Sequence, residues 1–271
     1  MPIAKLFVEG TLEVQLFAPI LLGSPVPYQG GSKYALKPRA RTERRENQVA
    51  AGYLRDRDFD FDPPADLWKP TEDGVDHGIV FGWRWCRHEI ENYLIDPAVV
   101  GEVTAWPVAE IEEALRAAGR TIRSYQVARW TIGLVRRALP PHYELRTRPD
   151  GLNELELPSI LDSARVNEWA SQAINQHRGP MVAATDAGAV QNSLDAFAAR
   201  FDDAFVDDVT NILVWFSGKD LLAGMAEWLL AKAVVNPGAF RALLRDWIIA
   251  NPERALVLLP EWNALVEALR A

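Results

Sequence analysis

Cysteine is nearly absent: the 271 residues contain one, Cys86. A lone thiol closes no internal disulfide, and no Cys or His partners stand at the spacing of a structural zinc site. The chain therefore reads as a protein of a reducing cytoplasm. Long apolar runs are missing too, none reaching the roughly 18 residues of a membrane span. The opening MPIAKLFVEG has no charged region followed by an apolar segment and a small-residue cleavage site. Neither secretion nor membrane insertion is predicted. Positive charge is in deficit, with 29 Lys and Arg against 37 Asp and Glu and a net charge of −8, which excludes a surface that attracts nucleic acid everywhere. It leaves room for a nuclease whose carboxylates hold cations while its arginines gather locally. There is no internal repeat and no low-complexity tract.

What is present is a 49% hydrophobic composition, enough to bury a substantial core in one large domain or two small ones. Ala4 to Val8 reads as a buried strand ending at Glu9-Gly10, after which Leu12, Leu16, Phe17, Ile20 and Leu21 recur at helical spacing. Residues 23 to 38 hold three glycines and three prolines and predict a loop; 39 to 48 is a polar, helical lead-in. Val49 to Leu54 is the next strand. Ile79, Phe81, Trp83 and Trp85 alternate as a third. Residues 98 to 139 have helical stripes, 143 to 158 suggests a hairpin about Pro149-Asp150-Gly151, and Ile212 to Phe216 is a last candidate strand before a helix-rich end.

Strands separated by helices and long connections predict an α/β fold with a mainly parallel sheet, whose ligand crevice lies beyond the carboxyl ends of the strands. The expected division is a core of residues 1–97 and 206–225, a mostly helical insertion over 98–205 and C-terminal helices over 226–271. The apolar stretch Ala255 to Leu269 offers a surface for a homodimer.

The stretch LRDRDFDFD, residues 54 to 62, sets Asp56, Asp58, Asp60 and Asp62 at alternate positions behind an apolar run. A calcium loop counted from Asp56 needs Gly at its sixth position and Glu at its twelfth, where Phe61 and Leu67 stand. His88-Glu89 lacks the second histidine of a zinc protease, since residue 92 is Asn92. Gly218-Lys219 lacks the rest of a phosphate-binding loop, with Leu213 where the earlier Gly belongs and Asp220 where Ser or Thr belongs. What survives is a set of acidic groups that each follow a strand: Glu9, then Asp56 and Asp58, then Glu89 and Glu91. Hard cations such as Mg²⁺ or Mn²⁺ take a few carboxylates together with water and substrate phosphate. In extended chain, Asp56 and Asp58 face one ion while Arg57 faces elsewhere. Arg41, Arg44 and Arg45 upstream, with Arg84 and Arg87 downstream, are the candidates for holding a phosphate backbone.

VEGTLEVQLF, YLRDRDFD, RHEIENYLIDP and WFSGKDLL, in that order, resemble the successive signatures of TOPRIM domains. The likeness is to nuclease-type TOPRIM proteins related to the overcoming-lysogenisation-defect family, and closest to bacterial TOPRIM-like proteins that often accompany an ATPase and include phage-defence effectors. It covers about half the chain. The resemblance implies a TOPRIM-like sheet and Mg²⁺- or Mn²⁺-dependent cleavage of DNA or RNA, with one or two ions. Glu9, Asp56, Asp58 and Glu91 are the implied ligands, with Glu89 a second-choice ligand or outer-shell group, and Glu9, Asp56, Asp58 and Lys219 are the implied catalytic groups. Glu13 stands where the family often has Asp, and Glu89-Ile90-Glu91 where it more often has Asp-Leu-Glu. A rival reading is a catalytically silent TOPRIM-like adaptor docked on an ATPase. Lys219 at a helix start opposes the helix macrodipole, which favours a functional duty for it over a structural one.

Overall fold

The structure, a computed structural model, describes residues 2–138, 153, 155–159, 161–176, 182 and 185–271. It has the α/β architecture expected: a five-stranded, mostly parallel sheet flanked by helices, with helices again at the C-terminal end. The sheet comprises β1 (Lys5–Val8), β2 (Val26–Gln29), β3 (Ala51–Arg55), β4 (Thr71–Asp76) and β5 (Ile79–Arg84) in the order β2-β1-β3-β5-β4. All run parallel except β4, which pairs antiparallel with β5. The central strands are apolar and buried on both faces, as parallel strands covered by helices must be. The chain forms two compact units, one of residues 1–57, 63–108 and 239–271, the other of 58–62 and 109–238.

In the sheet unit, α1 (Thr11–Leu21) starts where Glu13 accepts the backbone N–H of Gly10 at 3.2 Å, satisfying a donor that the first helical turn leaves open. That gives Glu13 a local capping duty. Leu36 and Ala40 of α2 (Lys33–Glu46) pack on Phe7, Ala51, Tyr53 and Phe81. The Tyr53 ring fills the place where a Cβ on Gly82 would stand, 2.2 Å from the nearest ring atom, so only glycine fits in β5 there. A second aromatic group joins Phe17 and Trp85 to Tyr93 of α3 (Glu91–Leu94) and to Trp262. α4 (Pro97–Thr104) follows α3.

The helical unit is built on α5 (Val108–Ala138), whose buried residues cover several faces, the mark of a central helix. α6 (Ser163–Gln176) packs Val166, Ala170 and Ile174 on Tyr125, Ala128, Ile132 and Val135. α7 (Ala187–Arg200), α8 (Asp203–Asp207) and α9 (Val209–Trp215) supply Phe197, Phe205 and Trp215 to a cluster with Trp130, Phe201 and Phe216. α10 (Gly218–Gly224) and α11 (Ala226–Ala231) follow. The C-terminal helices α12 (Pro237–Ala250), α13 (Pro252–Leu258) and α14 (Pro260–Arg270) return to the sheet unit, where Leu269 accepts the N–H of Ile3 at 2.9 Å.

Several expectations need correction. Ile212 to Trp215 lies in helix α9, not a strand, with Phe216 as its C-terminal cap; Asp208 caps the start by accepting the Thr210 N–H at 2.8 Å. A short apolar run fits a buried helix as well as a buried strand, and the capping aspartate was the discriminating signal. Residues 206–225 accordingly lie with the helical unit and 239–271 with the sheet. Residues 23–38 are not all loop, since they hold β2 and the start of α2. Pro27 sits in an edge strand, where proline costs no ladder bond, and α2 carries Pro38 internally. In the stretch offered as a dimer surface, Ala255, Leu259, Trp262, Leu265 and Leu269 are buried while Val257 is exposed. The hairpin expected about Pro149-Asp150-Gly151 lies outside the described residues. Among the described residues, no helix is long and apolar enough to cross a membrane.

Candidate functional site

β1, β3 and β5 are adjacent and parallel, so their carboxyl ends open on one edge of the sheet. Glu9 follows β1 directly, Asp56 follows β3 directly, and the turn after β5 carries Glu89. Hydrogen bonds tie these segments together. The Asp56 N–H donates to Glu9 Oε1 at 3.0 Å, and the Ile90 N–H donates to Asp56 Oδ1 at 3.1 Å. The Glu89 N–H donates to Asn92 Oδ1 at 3.0 Å.

Carboxylate oxygens of Asp56, Asp58 and Glu89 all lie within 4.8 Å of one another. Asp56 and Glu89 are buried and Asp58 is half-buried. Asp58 has φ 49°, a left-handed conformation that aspartate tolerates better than most residues. Two ionised carboxylates at that separation repel by roughly 3 kcal/mol at an effective dielectric constant of 20. A divalent cation, a shared proton or a neighbouring basic group offsets such repulsion. The donor set is all oxygen, the kind that hard cations take. The thiol of Cys86 takes no part, since it points to the carbonyls of Asp66 and Lys69 at 3.3 and 2.9 Å.

The intervening Arg57 is fully buried and faces away as expected, its Nε donating to the Cys86 carbonyl at 3.0 Å. The rest of the acidic stretch has other duties. Asp60 pairs with Arg136 of α5, Asp62 with Arg137 at 2.9 Å, and Arg137 Nε also donates to the Phe59 carbonyl at 2.6 Å. Phe59 meets the edge of Trp130 and packs so closely on α5 that a Cβ on Gly133 would lie 2.5 Å from its own Cβ.

Asp56 and Asp58 thus group with Glu89, the second-choice ligand, and not with the preferred Glu91, while Glu9 is joined to the group through the Asp56 backbone. Glu91 is buried at the start of α3 and bonds Arg241 at 3.2 Å. Lys219 is the second residue of α10 in the helical unit and is half-buried. Its neighbour Asp220 is fully buried against Arg129 and Gln126 Nε2, the latter at 2.7 Å.

The candidate phosphate-binding arginines have mixed surroundings. Arg84 bonds Asp73 at 2.8 Å, and Arg44 donates to the Ala51 carbonyl at 3.1 Å. Arg41 and Arg44 lie over the Phe81 ring, while Arg45 is exposed 3.5 Å from Asp76. Arg87 is turned inward, donating to the Asn92 carbonyl at 2.9 Å and to Asp96 at 2.6 Å.

Sequence reasoning missed Asp73 and Glu261. Asp73 accepts from the Tyr53 hydroxyl at 2.7 Å, and burial together with this carboxylate drives the Tyr53 pKa up. Glu261, in the first turn of α14, accepts the Cys86 N–H at 2.8 Å and the Tyr93 hydroxyl. Burial raises the Glu261 pKa, against the opposing pull of these two donors. Its one sequence signal was a glutamate inside an otherwise apolar helical stripe.

No protein-family model and no curated protein matches the sequence.

Proposed function

We propose that this chain is a metal-dependent nuclease that hydrolyses phosphodiester bonds, with Asp56, Asp58 and Glu89 holding Mg²⁺ or Mn²⁺. The observation that carries this reading is the convergence of three carboxylates, from the ends of two adjacent parallel strands, within 4.8 Å. Such a cation supplies a water of lowered pKa and neutralises charge on the leaving oxygen. Glu9 fixes the backbone at Asp56 through its hydrogen bond, and Asn92 does the same at Glu89. Arg41, Arg44 and Arg45, grouped along α2, are the side chains proposed to hold the phosphate backbone. The resemblance to nuclease-type TOPRIM proteins adds Lys219 as the group that offsets charge building on the phosphate. It also adds an ATPase partner and a role as a phage-defence effector.

The test is cleavage of mixed DNA and RNA by the purified chain with Mg²⁺ or Mn²⁺, beside the double variant Asp56→Ala, Asp58→Ala. Cleavage by the wild type, lost by at least about 100-fold in the variant, supports the nuclease. Folded wild type that neither cleaves nor binds Mn²⁺ in calorimetry ends it.

A further inference from the structure

Glu261 is a buried carboxylate far from the acidic group in sequence, and nothing in the nuclease reading uses it. Its two oxygens serve the two ends of one short segment. Oε1 accepts the backbone N–H of Cys86 at 2.8 Å, and Oε2 accepts the hydroxyl of Tyr93. The Tyr93 oxygen in turn accepts the Arg87 N–H at 3.2 Å, and Arg87 Nη1 donates to the Asn92 carbonyl at 2.9 Å. Asn92 Oδ1 holds the Glu89 N–H. The turn 86–93 is therefore closed on itself, pinned at both ends by one side chain from α14, and it presents Glu89 toward Asp56. Every member belongs to the sheet unit. Trp262 fixes the neighbouring turn of α14 by packing on Trp85 and Tyr93, with ring centroids 6.1 and 5.7 Å apart.

A buried polar residue is costly unless its bonds are made, and here each bond is made to the segment that carries a candidate ligand. Groups that orient metal ligands from behind are worth about 10- to 100-fold in metal affinity. We propose that Glu261 is a positioning residue for the metal centre, setting the place of Glu89 through Cys86, Tyr93, Arg87 and Asn92. This rests on the reading of Asp56, Asp58 and Glu89 as metal ligands.

The experiment is titration of Mn²⁺ into the full chain by calorimetry, beside thermal melting in EDTA, for wild type, Glu261→Gln and Tyr93→Phe. Gln keeps an acceptor for Cys86 but leaves the Tyr93 hydroxyl facing an amide donor. Phe keeps the packed ring and removes only the hydroxyl. The expected result is Mn²⁺ affinity lowered about tenfold in each variant, with a changed Mn²⁺ electron paramagnetic resonance spectrum. If Glu261→Gln does not fold, Tyr93→Phe decides alone. Unaltered affinity and spectrum in variants that melt earlier would make Glu261 a purely structural clamp and overturn the proposal. Wild type that binds no Mn²⁺ overturns the metal-site reading itself, and the proposal with it.

Discussion

The two halves of the acidic stretch 56–62 look alike in sequence and are used differently. Asp60 and Asp62 each meet an arginine of α5, whereas Asp56 and Asp58 meet a third carboxylate, Glu89. In the first case the fold answers each negative charge with a positive one. In the second it gathers three carboxylates within 4.8 Å, a donor set that could hold a cation. Alternation along the chain thus says nothing of duty; what stands opposite each side chain decides it.

Substitution to Asn along the stretch tests that contrast, read by melting and urea denaturation in EDTA. Asp60→Asn has the largest expected effect, a loss of about 2 kcal/mol, because Arg136 is left half-buried without its carboxylate. Asp58→Asn has the opposite sign. It relieves repulsion and suits a left-handed backbone, so a gain of about 1 kcal/mol in EDTA is expected, together with weaker Mn²⁺ binding. Asp62→Asn is the smallest, within about 0.5 kcal/mol, since the Asp62 side chain is 70% exposed. Equal signs at Asp58 and Asp60 would erase the distinction.

Glu261 sharpens the same comparison, as a buried carboxylate whose bonds here come from a hydroxyl and an amide. Burial raises its folded pKa above the ordinary 4.5. Its contribution to stability is therefore fully present below the unfolded value and is lost as pH rises through the raised folded value. Wild-type stability relative to Glu261→Gln should fall as pH rises above the ordinary carboxylate range. A constant difference over that rise would show that burial does not perturb this group.

The parts of the fold legible in sequence were those with strong local pattern: the run into β1, the helical spacing of α1, the apolar entry to β3 and the alternation of β5. These place Glu9 and Asp56 directly after strands, so Asp56 and Asp58 could be anticipated as one half of an acidic group, whereas the sequence favoured Glu91 over Glu89 as their companion. β4 was not legible, because Thr71–Asp76 carries three acidic residues and a glycine and is an edge strand held by β5. Its signal was the hairpin turn at His77-Gly78, both with positive φ. The helix at Ile212 could not be told from a strand by its apolar run. The pairings that separate Asp60 from Asp58, and the service of Glu261 to Cys86, join positions far apart in the chain. No local pattern encodes them.

The bond from Glu261 to Cys86 spans 175 positions, and it carries a consequence for synthesis. A ribosome delivers all five strands early, then the whole helical unit, and only afterwards α14. Until then Trp85 and Tyr93 lack Trp262, and the turn bearing Glu89 lacks its pin. The nascent chain must keep an unfinished sheet from aggregating while the segment 109–238 emerges and folds. The turn that bears Glu89 is thereby completed only when α14 is made, long after the acidic residues themselves.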